Sequence, residues 1–167
     1  LAVDRPFREG YAPGAGARVA FRGTGRLPCW FVTEWLEPWA AGPPGRGLAL
    51  EIRAPEKVRR GEVYRVEAVV RNLLDRPVEN PLVLVGLPGG AKPLPAALDA
   101  LVAGGAVHRH EVRTGQVALY LKDLKPGETA ALPFLLSAEF RGRFAGRPSE
   151  AYEYYTPEVR AEVPPSA

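Results

Sequence analysis

The stretch Asn80–Gly105, NPLVLVGLPGGAKPLPAALDALVAGG, decides how the rest of the chain is read. It opens on Leu82-Val83-Leu84-Val85, a short apolar run bounded by breakers, which is the pattern of a strand buried on both faces. Pro88-Gly89-Gly90 then turns the chain. A helix is predicted over Pro95–Val102. Proline is tolerated in a first helical turn, Leu94, Leu98 and Leu101 recur at i, i+4 and i+7, and Gly104-Gly105 stops the element. One short helix among strands is expected to lie as a lid on a sheet edge or sandwich end, with Leu98 and Leu101 packed onto the sandwich.

Working outward, Glu62–Asn72 gives the cleanest alternation: Val63, Arg65, Glu67 and Val69 oppose Tyr64, Val66, Ala68 and Val70. One face is apolar and the other mostly charged, as in an antiparallel sheet wetted on one side. Further strands are predicted at Arg18–Phe21, Cys29–Leu36, Leu48–Ile52, Val107–Val112, Val117–Leu121 and Thr129–Leu136, with a last extended segment from Tyr152 to Val163. The breaker clusters AAGPPGRG at Ala40–Gly47, Asp75-Arg76-Pro77, Thr114-Gly115 and Lys125-Pro126-Gly127 separate them. Strands recurring every ~8–12 residues between turn signals indicate an all-β, antiparallel, immunoglobulin-like sandwich. About eight or nine strands and one short α-helix are expected. Residues 1–47 read as a lead-in with linking strands from a preceding domain, and 48–167 as the sandwich domain.

The totals bound the class. The 167 residues suit one domain of about 120 residues plus a flanking segment. The 18 Gly and 18 Pro fit a turn-rich fold better than a helix bundle. A net charge of +3 with scattered basic residues argues against nucleic acid as a partner. Cys29 is the single cysteine, so neither an internal disulfide nor a thiolate metal cluster can form. No run approaches the ~20 apolar residues of a membrane span. Leu1 opens no signal peptide, and a chain without an initiator Met reads as a piece of a longer polypeptide. Methionine is absent and Asn and Gln are scarce, which fits a thermophile, although GC-rich coding produces similar usage.

Few residues offer chemistry. His108 and His110 stand at i and i+2 on a strand and could present two imidazoles to zinc, but no third ligand follows in sequence. Two surface histidines are the simpler reading. No Gly-x-Ser-x-Gly, phosphate-cradling loop or Cys/His pair occurs, and no cofactor is implied. The chain is therefore read as non-catalytic. Trp30 and Trp35 are read as core anchors rather than as a stacking platform. Tyr152, Tyr154 and Tyr155 are more numerous than a core strand requires; on a continuous strand Tyr152 and Tyr154 would share a face and Tyr155 would take the other.

An ordered set of segments resembles the C-terminal receptor-binding-type domain of the alpha-2-macroglobulin and complement family. The matching pieces are Gly23-Thr24-Gly25 leading to Trp30–Leu36, Asn80–Gly90, Leu98-Asp99-Ala100-Leu101, Val117–Leu121 and Glu150–Tyr155, covering about Arg18 to Val163. The resemblance implies a β-sandwich carrying one helix, at the end of a long polypeptide that traps proteases. In that family a thioester in another domain captures the attacking protease. No Cys-Gly-Glu-Gln motif lies in this chain, so that chemistry is expected in a neighbouring, thioester-bearing domain of the same polypeptide. By the same resemblance Tyr152, Tyr154 and Tyr155 are expected to face and shield that thioester. Animal members present helix lysines to an endocytic receptor; here Pro95–Ala103 holds no lysine, so receptor binding is not carried over. A bacterial member, periplasmic or in the cell envelope, fits better. The alternative is a free-standing immunoglobulin-like module for adhesion or carbohydrate binding, with Trp30, Trp35 or Trp39 as its contact surface.

Overall fold

The structure, a computed structural model, describes residues 46–144 and 146–165. The strands predicted at Arg18–Phe21 and Cys29–Leu36, and Trp30, Trp35 and Trp39, lie outside the described residues. The elements run β1 (Leu48–Arg53), β2 (Val63–Asn72), β3 (Pro81–Gly86), β4 (Ala91–Pro93), α1 (Pro95–Ala103), β5 (Val107–Arg113), β6 (Gln116–Leu121), β7 (Thr129–Ala138), β8 (Ser149–Glu153) and β9 (Thr156–Val163). They form two antiparallel sheets, β1-β2-β7-β4 and β5-β6-β3-β8-β9, facing one another as a sandwich.

The two-residue period of β2 sets its contribution. Val66, Ala68 and Val70 are buried while Arg65 and Arg71 stay in water, and the partner β7 sends Leu132, Phe134 and Leu136 into the same layer. The facing sheet supplies Val83 and Val85 from β3 and Val117, Leu119 and Leu121 from β6. Strand β3 is buried along its whole length because it lies at the centre of the five-stranded sheet. Leu82 and Leu84 point away from the main core and make a second cluster with Ala118 under the half-buried rings of Tyr120 and Tyr152. The continuous apolar run thus serves two packed layers. Each such side chain removed from water is worth about 1.5–3 kcal/mol before entropy is counted.

Helix α1 begins with Pro95, which sacrifices an N–H that no helical carbonyl could accept. Its end is a Schellman motif: Ala106 N–H donates to Leu101 O (3.0 Å), Gly105 N–H donates to Val102 O (2.9 Å), and Gly105 takes φ +71°. Leu98 and Leu101 are the buried residues of the helix and join the main core. The helix packs against both β5 and β7 and so spans an open side of the sandwich.

Two elements differ from the sequence expectation. The three-residue β4 was not foreseen; it pairs its Ala91, Lys92 and Pro93 with the end of β7. The segment Tyr152–Val163 is not one extended run. The chain reverses at Tyr154-Tyr155, with Glu153 opposite Thr156, so β8 and β9 form a hairpin. Tyr152 and Tyr154 therefore do not share a strand face, because Tyr154 and Tyr155 occupy the turn.

Candidate functional site

The tyrosine turn sits at one end of the sandwich, and its base is a buried carboxylate. Alternation along β8 turns Ser149, Ala151 and Glu153 inward, where Glu153 is only 3% exposed. Its Oε1 accepts from Arg76 Nη1 (2.9 Å) and from the Glu79 backbone N–H (2.8 Å), and its Oε2 accepts from Arg76 Nη2 (2.7 Å). This is the fork-on-carboxylate geometry of a strong, directional pair. The Arg76 hydrogen bonds, opposed by burial and aided by the Glu79 N–H, hold the Glu153 carboxyl below the usual carboxylate range.

Arg76 is itself fixed. Its Nη1 also donates to Pro77 O (2.7 Å), and its carbonyl accepts from Asn72 Nδ2 (2.8 Å). Asn72 has no exposure, and its Nδ2 donates further to Leu124 O (2.9 Å) and Lys125 O (3.1 Å) while Oδ1 accepts from Leu74 N–H (2.8 Å). The end of β2, the β2–β3 loop, the chain after β6 and the β8–β9 turn are thereby tied together. Asn80 enters β3 at φ +46°, a conformation Asn tolerates better than most residues, and its N–H donates to Asp123 Oδ1 (2.9 Å).

On this base stand two exposed rings. Tyr154 is 50% and Tyr155 78% exposed, and they meet edge to face with centroids 5.1 Å apart. Tyr152 lies apart from them, half-buried on the outer face of the sheet between Leu82 and Arg160; burial first, then the Glu150 charge, raises its phenol pKa. Nearby, Arg113 Nη2 donates to Tyr120 Oη (3.0 Å) and the Arg109 guanidinium lies 4.2 Å over the Tyr120 ring. The arrangement presents aromatic area with two phenol groups.

The histidines are divided. A bulge between Val107 and Arg109 interrupts the β5–β6 register at His108, which is exposed, whereas His110 Nε2 lies 2.9 Å from Asp99 Oδ1 of α1. Among the described residues no group of three or more His, Cys, Asp or Glu side chains could hold a metal ion. Among them, also, no helix is long and apolar enough to cross a membrane. Sequence reasoning missed Arg76, Glu153 and Asn72. Glu153 was readable only as an acid between tyrosines, and nothing local announced a partner 77 positions away.

The profile of the bacterial alpha-2-macroglobulin MG10 domain matches residues 44–158. No curated protein sequence matches the chain. Among solved structures, a mutant of Salmonella alpha-2-macroglobulin superposes with a TM-score of 0.64 at 21% identity, over 75% of this chain and 9% of that one. The same Salmonella protein reacted with methylamine gives 0.62 at 21% identity, again over 75% and 9%. Native Escherichia coli alpha-2-macroglobulin, from its MG7 domain to the C-terminus, gives 0.63 at 15% identity over 75% of this chain and 24% of that one. These likenesses establish the macroglobulin immunoglobulin-like fold, and the chain spans only about a tenth of the longest of these relatives. With the profile covering more than half of its residues, the chain belongs to the bacterial alpha-2-macroglobulin MG10 domain family.

Proposed function

We propose that this chain is the non-catalytic, C-terminal domain of an alpha-2-macroglobulin-like protease trap, in which residues 48–167 form the sandwich and 1–47 lead in from the preceding domain. It packs against the thioester-bearing domain of the same polypeptide and keeps water and amines from the thioester until a protease cuts the trap. Tyr154 is the first candidate for the shielding ring, with Tyr155 and Tyr152 next. The parent protein works in the periplasm, in the cell envelope or as a secreted protein, with proteases as its indirect partners and no endocytic receptor.

The observation that supports this reading is the pair of exposed rings, Tyr154 and Tyr155, on a turn anchored by the hydrogen bonds of a buried carboxylate, Glu153. A tyrosine left half or more in water gains little stability for its own domain. The same ring buried at a domain seam excludes water over a large area and still pairs its hydroxyl with a polar neighbour. Tyr152 is the weaker candidate because its ring already covers Leu82 and Leu84.

Mapping tyrosine nitration by tetranitromethane tests the placement. Tyr154 and Tyr155 should be modified readily in the isolated chain, protected in the intact parent protein, and modified again once a protease has cleaved it. Equal modification in all three states would mean that these rings face no neighbouring domain.

A further inference from the structure

We infer that Arg76 is the positioning residue of the tyrosine turn: through Glu153 it fixes the direction in which Tyr154 and Tyr155 are presented. The inference rests on the proposed shielding role, and it starts from how little else holds the turn. A two-residue β-hairpin connection normally uses positive φ at one or both turn residues, which matches the twist of the strands. Among the described residues Asn80 is the one non-glycine with positive φ, so neither Tyr154 nor Tyr155 has that geometry. Immediately below the turn the ladder slips. Tyr152 lies opposite Arg160 while the next residue, Glu153, lies opposite Thr156, leaving Pro157, Glu158 and Val159 bulged out of the β9 pairing.

The two tyrosines therefore receive no direction from a regular β8–β9 ladder. What remains on the β8 side is Glu153, which pairs with Pro81 of β3 and Thr156 of β9. Its carboxylate takes the Glu79 N–H and the forked contact of Arg76, among the described residues the one charged side chain that grips it at both oxygens. The Glu153 side chain is 4% exposed while the Arg76 side chain is 46% exposed, so the arginine reaches in from the rim and grips a group that cannot turn to water. A lysine at 76 would keep the charge and lose the fork.

Arg76→Lys, Arg76→Ala and Glu153→Gln, beside Tyr154→Ala, test this in two assays. In the isolated chain, Arg76→Lys and Glu153→Gln should speed hydrogen exchange of the Tyr154, Tyr155 and Thr156 amides several-fold. The amides of β3 and β6 should be unmoved, which a merely structural role would not produce. In the full-length parent protein the same two variants should raise methylamine consumption without protease several-fold, towards the rate of Tyr154→Ala, and Arg76→Lys should restore folding but not protection if Arg76→Ala fails to fold. Unchanged turn exchange in Arg76→Lys and Glu153→Gln overturns the inference. If Tyr154→Ala speeds methylamine consumption while Arg76→Lys and Glu153→Gln do not, shielding stands and the positioning role falls. If no tyrosine variant changes the rate, the shielding role falls and this inference falls with it.

Discussion

Asn72, with no exposed surface, donates its side-chain amide to the carbonyl of Leu124 at 2.9 Å and so joins the end of β2 to the chain that follows β6. The same nitrogen serves Arg76 O and Lys125 O, and the amide oxygen takes the Leu74 N–H. Leu124 O also accepts from the Val78 N–H and Lys125 O from the Glu128 N–H, so among the described residues the groups that rely on Asn72 are Arg76 O and the Leu74 N–H. Asn72→Ala should lower stability by more than one ordinary hydrogen bond, about 1–3 kcal/mol for each buried group left unpaired, moderated where water enters. Denaturant unfolding should show a lower midpoint at an unchanged slope.

Leu98→Ala and Leu101→Ala should each destabilise by about 2–5 kcal/mol, since both leucines are buried in the core under a helix that spans two sheets. Leu98, with no exposure, should cost more than Leu101 at 7%. An unaltered denaturant midpoint in both variants would show that the helix is not docked.

Gly86→Ala should also destabilise, though no core side chain is lost. A Cβ on Gly86 would meet the Arg147 carbonyl oxygen at 1.9 Å, and this is backbone, which yields only by moving the loop. The Gly86 N–H to Ser149 Oγ bond (2.9 Å) would be stretched as well. About 1–3 kcal/mol is expected, read from the thermal midpoint.

Stability should fall in acid through Glu153. Its carboxyl is held below the ordinary carboxylate range by Arg76 in the folded chain and returns to the ordinary value on unfolding. The unfolded state therefore binds the proton more readily, so this contribution is fully present above the ordinary value, declines as pH drops below it, and is lost once pH passes the lowered folded value. Glu153→Gln should be less stable at neutral pH and should show a flatter acid limb. Parallel acid limbs in the two proteins would contradict the assignment.

Much of the fold was legible because its signals are local. The charged–apolar alternation of Glu62–Asn72 became β2, the Leu98/Leu101 spacing between a proline and two glycines became α1, and Leu82–Val85 became the central strand β3. Strand β4 was hidden because three residues ending in Pro93 carry no period. The turn at Tyr154-Tyr155 was hidden because it contains no Gly, Pro, Asn or Asp, and two aromatic β-formers look like a continuing strand. The site was legible as a cluster of tyrosines and not as a geometry. The bonds that orient it join Asn72, Arg76 and Glu153 across long separations, and no sequence period encodes them.

The most direct test of the account is methylamine consumption by the full-length parent protein, measured without protease, for the single changes Tyr152→Ala, Tyr154→Ala and Tyr155→Ala. Methylamine is a small nucleophile, so its rate of attack on the thioester should rise as shielding is lost. The account predicts faster consumption in Tyr154→Ala, a smaller rise in Tyr155→Ala, and the least change in Tyr152→Ala, whose ring is packed over Leu82 and Leu84. Rates equal to the unsubstituted protein in all three variants would contradict it.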